Sequence, residues 1–263
     1  MSKYFAVNVI PDCIAGDVSN NNGTADIGAG DVIFDWTPVD VPSGTGIIQS
    51  ISAIVNAEDA TYAGTSLTDY ELLFARSLRG SAPPSIGTIG GSANGVGWQE
   101  HLVGAAQIES TAGVGTLLHT DFHIVYNAAT TSNGGSGGRG HTLPIVYQLD
   151  HTVSTIPGFD KLYVAGIQSQ ARNYGTGVLA DGAVDASTDQ STTVTVKTVD
   201  ARKIFSVGNT VYVNDLDTPI PGTLTKVEAT TLTFSEANTT VDIADNDELL
   251  TANPIRIKLG IEF

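Results

Sequence analysis

The segment Ile255-Arg-Ile-Lys-Leu-Gly-Ile-Glu-Phe263 sets Ile255, Ile257, Leu259, Ile261 and Phe263 on one face of an extended chain and Arg256, Lys258, Gly260 and Glu262 on the other. No other stretch alternates so cleanly. Chain ends fray unless they are paired and buried, so this strand is expected to belong to a sheet built mainly from the first two thirds of the sequence. The alternative makes it the last strand of the region just before it. That region, Ser191 to Leu250, reads as a self-contained β module. It runs Thr193-Val-Thr-Val-Lys-Thr-Val199, then Phe205-Ser-Val-Gly-Asn-Thr-Val-Tyr-Val213, then Gly222-Thr-Leu-Thr-Lys-Val-Glu-Ala-Thr-Thr-Leu-Thr-Phe234. Gly208-Asn209, Pro219-Ile-Pro-Gly222 and Glu228-Ala-Thr230 mark its turns, with Phe205 and Val207 expected on a strand before the first. Three or four strands of this length can curl into a small barrel.

Working outward, period-two alternation persists and helical periodicity is absent. Strands are expected at Tyr4 to Ile10, Asp31 to Thr37, Gly46 to Asn56, Asp69 to Arg76, Leu102 to Ile108, Thr116 to Tyr126, Thr142 to Leu149 and Lys161 to Ser169. The fold class is therefore all-β: a jelly-roll-like β-sandwich with a small barrel-like module inserted before the last strand. Residues 1–185 plus 253–263 are assigned to the sandwich and 186–252 to the module. Leu179 to Asp189 reads as an acidic linker, and Gly80 to Gly97 and Ser132 to Gly140 as long mobile loops of the kind that cross between sheets.

Charged residues make up only 15% of 263, with 12 Lys and Arg against 28 Asp and Glu, a formal charge of -16. That balance opposes a phosphate-tracking surface, so nucleic acid is not an expected partner. One cysteine, Cys13, excludes an internal disulfide and a thiolate metal cluster. No stretch has the length of an apolar membrane-spanning helix, and Asn8 and Pro11 break the first apolar run, so neither a membrane nor a secretory leader is expected.

Chemistry-bearing patterns are sparse. In Leu118-His119-Thr-Asp121-Phe-His123 a single strand would put His119, Asp121 and His123 on one face, where two imidazoles and a carboxylate could hold a divalent metal, with His141 or His151 completing an iron-oxygenase triad. The plainer account is the polar side of a half-buried strand. No catalytic or cofactor-binding residue is assigned, and no cofactor is expected. Asp17 to Asp26 fails as a calcium loop, because aligning Gly23 with the required glycine leaves Val18 and Ala29 at ligand positions. Asp242-Ile-Ala-Asp245-Asn-Asp247-Glu248 is denser and reads either as a solvated turn or as a weak calcium site. Gly87 to Gly97 lacks the lysine and the following helix of a phosphate cradle.

The stretch Ile47-Ile-Gln-Ser-Ile-Ser-Ala-Ile-Val-Asn-Ala-Glu-Asp59, followed by Tyr70-Glu-Leu-Leu-Phe-Ala75 and by the Phe205 to Val213 motif, resembles virion structural proteins of tailed phages, those of marine cyanophage-like viruses in particular. The resemblance implies a capsid decoration (cement) protein on the outer surface of a phage head, made in the host cytoplasm. It also implies contacts with the major capsid protein and with copies of itself, a trimer among the options. A tail, neck or fibre component, a glycan-binding module and a metal-dependent oxygenase are the alternatives. The terminal strand and the two Gly-rich loops are the expected contact elements.

Overall fold

A computed structural model describes residues 3–13, 27–56, 70–94, 96–108, 116–118, 122–126, 145–149, 154–169, 177–197, 199–214 and 218–263. Every pairing between its named strands is antiparallel. The first sheet contains β1 (Tyr4–Val9), β3 (Thr45–Asn56), β6 (Thr116–Leu118), β7 (Phe122–Tyr126), β8 (Ile145–Gln148) and β16 (Ile255–Glu262), in the order β1-β16-β3-β7-β6 with β8 also on β3. The second contains β2 (Val32–Pro42), β4 (Tyr70–Arg76), β5 (Leu102–Ile108) and β9 (Phe159–Gln168), ordered β2-β9-β4-β5.

Alternate side chains of the two sheets meet in one core. Ile255, Ile257, Leu259 and Ile261 of β16 join Ile48, Ile51, Ala53 and Val55 of β3, facing Phe34, Val39 and Val41 of β2, Tyr70, Leu72 and Phe74 of β4, and Leu162 and Val164 of β9. Each fully buried aliphatic side chain contributes about 1.5–3 kcal/mol of transfer free energy. The chain is thus a β-sandwich, and its amphipathic final strand is the second strand of the first sheet, hydrogen-bonded to β1 on one side and β3 on the other. A bulge sits where Gly260 pairs with Ser50 and Ile261 with Ile48, leaving Gln49 as the extra residue. One extra residue reverses the in-out parity, which is how Ile48 and Ile51 both reach the core.

The third sheet holds β10 (Val178–Ala180), β11 (Thr193–Lys197), β12 (Val211–Val213), β13 (Leu224–Val227), β14 (Thr231–Phe234) and β15 (Glu248–Thr251), ordered β12-β15-β10-β11-β14-β13. Its core is separate: Val194, Val196, Phe205, Val211, Val213, Leu224, Leu232, Phe234 and Leu249 are members. Two backbone bonds, Gly208 N to Leu224 O (2.7 Å) and Leu224 N to Asn209 O (2.9 Å), tie the β13 end of the path to the residues leading into β12.

Three expectations change. Leu179 to Asp189 is not a linker, because it opens within β10, which pairs with β11 and β15, and Val184 bridges to Ile243. The module's sheet therefore begins at Val178, ahead of residue 186. Thr116 to Tyr126 is not one strand: Leu118 lies opposite His123 and Thr116 opposite Val125, so the chain reverses between β6 and β7. Finally, Phe205 and Val207 are not on a strand. They follow a 3-10 turn, Ala201–Lys203, with Phe205 buried in the module core and Val207 56% exposed.

Candidate functional site

The reversal at β6 and β7 removes the premise of the metal reading. Positions 119, 121 and 123 share a face only on one continuous strand. His119 and Asp121 lie outside the described residues, as do His141 and His151, and His123 is described through its backbone alone, opposite Val55 of β3. The histidine whose side chain is described is His101, buried beside β4 with Nδ1 2.9 Å from the Arg76 carbonyl. Among the described residues no three His, Cys, Asp or Glu side chains group closely enough to hold a metal ion.

The acidic side chains of the module are engaged with its own turns. Asp185 accepts from Ser187 N (2.7 Å), Ser187 Oγ (2.6 Å) and Thr188 N (3.0 Å), and these bonds, led by the Ser187 hydroxyl, hold its carboxyl below the usual range. Asp245 is lowered first by Lys197 and then by the Gly182 N–H, which donates at 3.0 Å. Asp242 accepts from Ala186 N (2.9 Å) and Asp247 from Ala244 N (2.7 Å). Such Asx-type bonds stabilise tight turns. They account for the Asp242 to Glu248 cluster as architecture.

The Gly80 to Gly97 stretch is a packed strap and not a bare mobile loop. Ile86 and Ile89 pack with Val32, Leu73 and Ala165 on the outer face of the second sheet, and Ile86 is fully buried. Val32 N donates to Gly91 O and Gly90 N to Val32 O, both at 2.9 Å, so the strap also covers the edge of β2. Two indoles pin it: Trp36 Nε1 donates to Pro84 O (2.8 Å) and Trp98 Nε1 to Asn94 O (3.0 Å). The rings stand edge to face, 6.1 Å apart at 62°. With both N–H groups bonded and the rings inclined to each other, the pair acts as a packing clamp, unlike the open aromatic faces on which sugars stack.

The junction between sandwich and module rests on two buried asparagines. Asn253 Nδ2 donates to Pro11 O (2.7 Å), past the end of β1, while its Oδ1 accepts from Thr210 N (2.9 Å) in the module. Asn209, fully buried, accepts from Ser206 N through Oδ1 (2.7 Å). Gly208 takes the tight turn here at φ 89°, a left-handed conformation that favours glycine. Arg256 Nη2 donates to Val207 O (2.6 Å), with burial lowering the guanidinium pKa. Cys13 N donates to Ala252 O (2.8 Å). The Cys13 thiol is fully buried, which raises its pKa well above the ordinary value, with Asp12 adding to the rise. Cysteine chemistry requires an accessible thiolate, so this thiol is inert in the folded chain.

Among the described residues β1 pairs on one side only, with β16, and leaves its other edge open. Lys3 and Phe263 exchange both backbone bonds at 3.0 Å, so by antiparallel alternation Phe5, Val7 and Val9 also bond β16 while Tyr4, Ala6 and Asn8 direct N–H and C=O outward. Those three residues are exposed, Tyr4 at 75%. The terminal strand, expected as a contact element toward another subunit, is paired on both sides within the sheet, and among the described residues the open edge beside it belongs to β1. Sequence reasoning missed this edge, since alternation reports faces and carries no information on which neighbour a strand receives.

Comparison with protein-family models, with curated proteins and with solved structures finds no match for this chain.

Proposed function

We propose that this chain is a structural component of a virus particle, most specifically a decoration protein on the outside of a phage head, working through surface contact. The observation that carries this reading is the outer edge of β1, with which no described strand pairs, on a scaffold with two cores. An exposed edge is a template for pairing with another chain, and most proteins suppress it. Among the described residues the other edge strands are interrupted or short: β2 carries Pro38, Pro42, two register shifts and the strap, β5 has a register shift against β4 between Gly104 and Leu102, β13 has a register shift and a Lys226–Glu228 ion pair, and β6 has three residues. β8 and β12 are short, at four and three residues. β1 keeps unbroken register over six residues with no proline and no charge. The surrounding acidic surface, at -16 overall, disfavours indiscriminate sticking and so leaves contacts to specific patches.

In this reading the major capsid protein and further copies of the chain are the partners. Co-sedimentation with heads of the virus that encodes the chain tests it, with cryo-microscopy of the decorated particle locating the density. Binding that saturates at a fixed copy number per head is expected; a chain that stays in the supernatant at all ratios removes the reading.

A further inference from the structure

We infer that β1 pairs antiparallel with β1 of a second copy of this chain, about a two-fold axis at Ala6, so that the first sheet continues through the pair. The bonding pattern is self-complementary. Outward groups lie on Tyr4, Ala6 and Asn8, and a two-fold at Ala6 sets Ala6 opposite the partner's Ala6 and Tyr4 opposite the partner's Asn8. Three residues in each of two copies then supply six N–H···O bonds (3 × 2).

The side chains fit the same operator. On the outward face Ala6 lies beside Gly260 of β16, so the axis crosses a row of the smallest residues. Exposed large apolar side chains collect at one end of this edge and recur at the other. Tyr4 stands at one end, while Ile10 (37% exposed) and Val207 (56%) stand at the opposite end. Those two adjoin: a Cβ on Gly208 would lie 3.9 Å from Ile10 Cδ1, and Val207 O is held by Arg256 of β16. The two-fold brings each Tyr4 diagonal to the partner's Ile10, a separation of about 7–8 Å that an aromatic side chain spans. Charge agrees as well. Tyr4 pairs with Glu262 and Asn8 with Lys258, so each row through the antiparallel pair runs from Glu262 to the partner's Lys258, whereas a parallel pair would align like signs.

This deepens the self-association within the proposed assembly role, and the two separate cleanly. A dimer that ignores viral heads removes the decoration reading and leaves the pairing standing; a monomer that decorates heads does the reverse. The test is sedimentation equilibrium on the whole chain, together with residue-resolved amide exchange. A dimer in which the amides of Tyr4, Ala6 and Asn8 become protected with rising concentration is expected. Ala6→Pro removes an outward donor while sparing the ladder to β16, and is expected to weaken association about a hundredfold with the circular dichroism unchanged. Should that variant misfold, Ala6→Lys retains the N–H and sets two ammonium groups on the axis, with the same expected loss. A monomer, a trimer, a dimer whose three amides exchange at free rates, or a folded Ala6→Lys variant that dimerises normally would overturn the inference.

Discussion

Replacing Asn253 tests whether the junction is a hydrogen-bonded key or merely a place where two lobes touch. Alanine there leaves the Pro11 carbonyl and the Thr210 N–H without their side-chain partners, at a residue only 6% exposed. Each of the two abandoned groups costs about 1–3 kcal/mol, so Asn253→Ala is expected to cost about 2–6 kcal/mol. That is a large part of a total stability of about 5–15 kcal/mol. With a urea slope of about 3 kcal/mol per molar, the midpoint falls by about 1 M. Both tryptophans, Trp36 and Trp98, belong to the second sheet's outer layer, so their fluorescence follows the sandwich while far-ultraviolet circular dichroism follows both cores. Loss of the key is expected to separate the two transitions. Asn253→Asp sharpens the test: it keeps the acceptor for Thr210 N and sets a carboxylate oxygen against the Pro11 carbonyl, so it should be at least as damaging. Thr225→Ala, which deletes an exposed hydroxyl bond to Thr233 O, should stay within about 0.5 kcal/mol of the parent. Coincident transitions with an unshifted midpoint in Asn253→Ala would refute the reasoning.

Gly166 faces Phe34 so closely that a Cβ would overlap the ring, and Gly166→Ala is expected to cost about 1–3 kcal/mol by overpacking, partly recovered in the Gly166→Ala, Phe34→Leu pair; a neutral single variant in urea denaturation would count against the tight fit. Alkaline stability follows from groups whose folded pKa is raised: burial lifts Tyr147 to about 12, lifts Tyr163 with help from Asp160, and lifts Cys13. Their contribution is complete below the unfolded values, about 8.5 for the thiol and about 10 for the phenols, and is lost as pH rises toward the folded ones. Midpoints measured from pH 7 to 12 should therefore fall only above about pH 8.5, and Tyr147→Phe should flatten the upper part of the fall. Trp98→Ala should release the strap at a cost of about 2 kcal/mol, raise acrylamide quenching of Trp36 and open the chain to subtilisin near Ile86; unchanged quenching would argue against the clamp.

The strand inventory was legible because alternation is local. Leu102 to Ile108 is β5 to the residue, the expected Asp69 to Arg76 contains β4 from Tyr70 onward, and Ile255 to Phe263 contains β16 as far as Glu262. What escaped the sequence depends on neighbours. Val178 to Ala180 is three residues long and borders an acidic run, so its pairing with Lys197 and Leu249 leaves no periodic trace. β6 and β7 read as one strand because a tight reversal can be made from residues that alternate as well as strand residues do. The strap looked like a loop by its glycines, yet Ile86 and Ile89 among them were the signal that it covers something. Asn209 and Asn253 resembled ordinary turn residues; only the tertiary fold shows that one amide reaches Pro11 from a position 242 residues away. For the candidate site, the sequence pointed at His119, Asp121 and His123, and the surface that carries the proposals was instead an edge made of backbone.

Topology explains why the junction uses asparagines where an apolar contact would also have buried area. β16 docks between β1 and β3, and its pairing of Glu262 with Tyr4 closes a separation of 258 residues (262 − 4). Until it docks, β1 and β3 both present open edges and the core lacks Ile255, Ile257, Leu259 and Ile261. A long-range closure of this kind is slow, and open edges are an aggregation hazard while it lasts. The module's strand pairings, by contrast, lie within residues 178–251, so its sheet can form without waiting for the sandwich. Once formed, its Thr210 N–H orients the Asn253 side chain, whose amide then has one acceptor to find, the Pro11 carbonyl at the end of β1. Apolar contact tolerates sliding, whereas a hydrogen bond between buried groups rewards one geometry and penalises the rest. A one-residue slip of β16 would turn all four of its core side chains outward. Fixing the residue two positions before Ile255 therefore selects the register of the strand that completes the sheet.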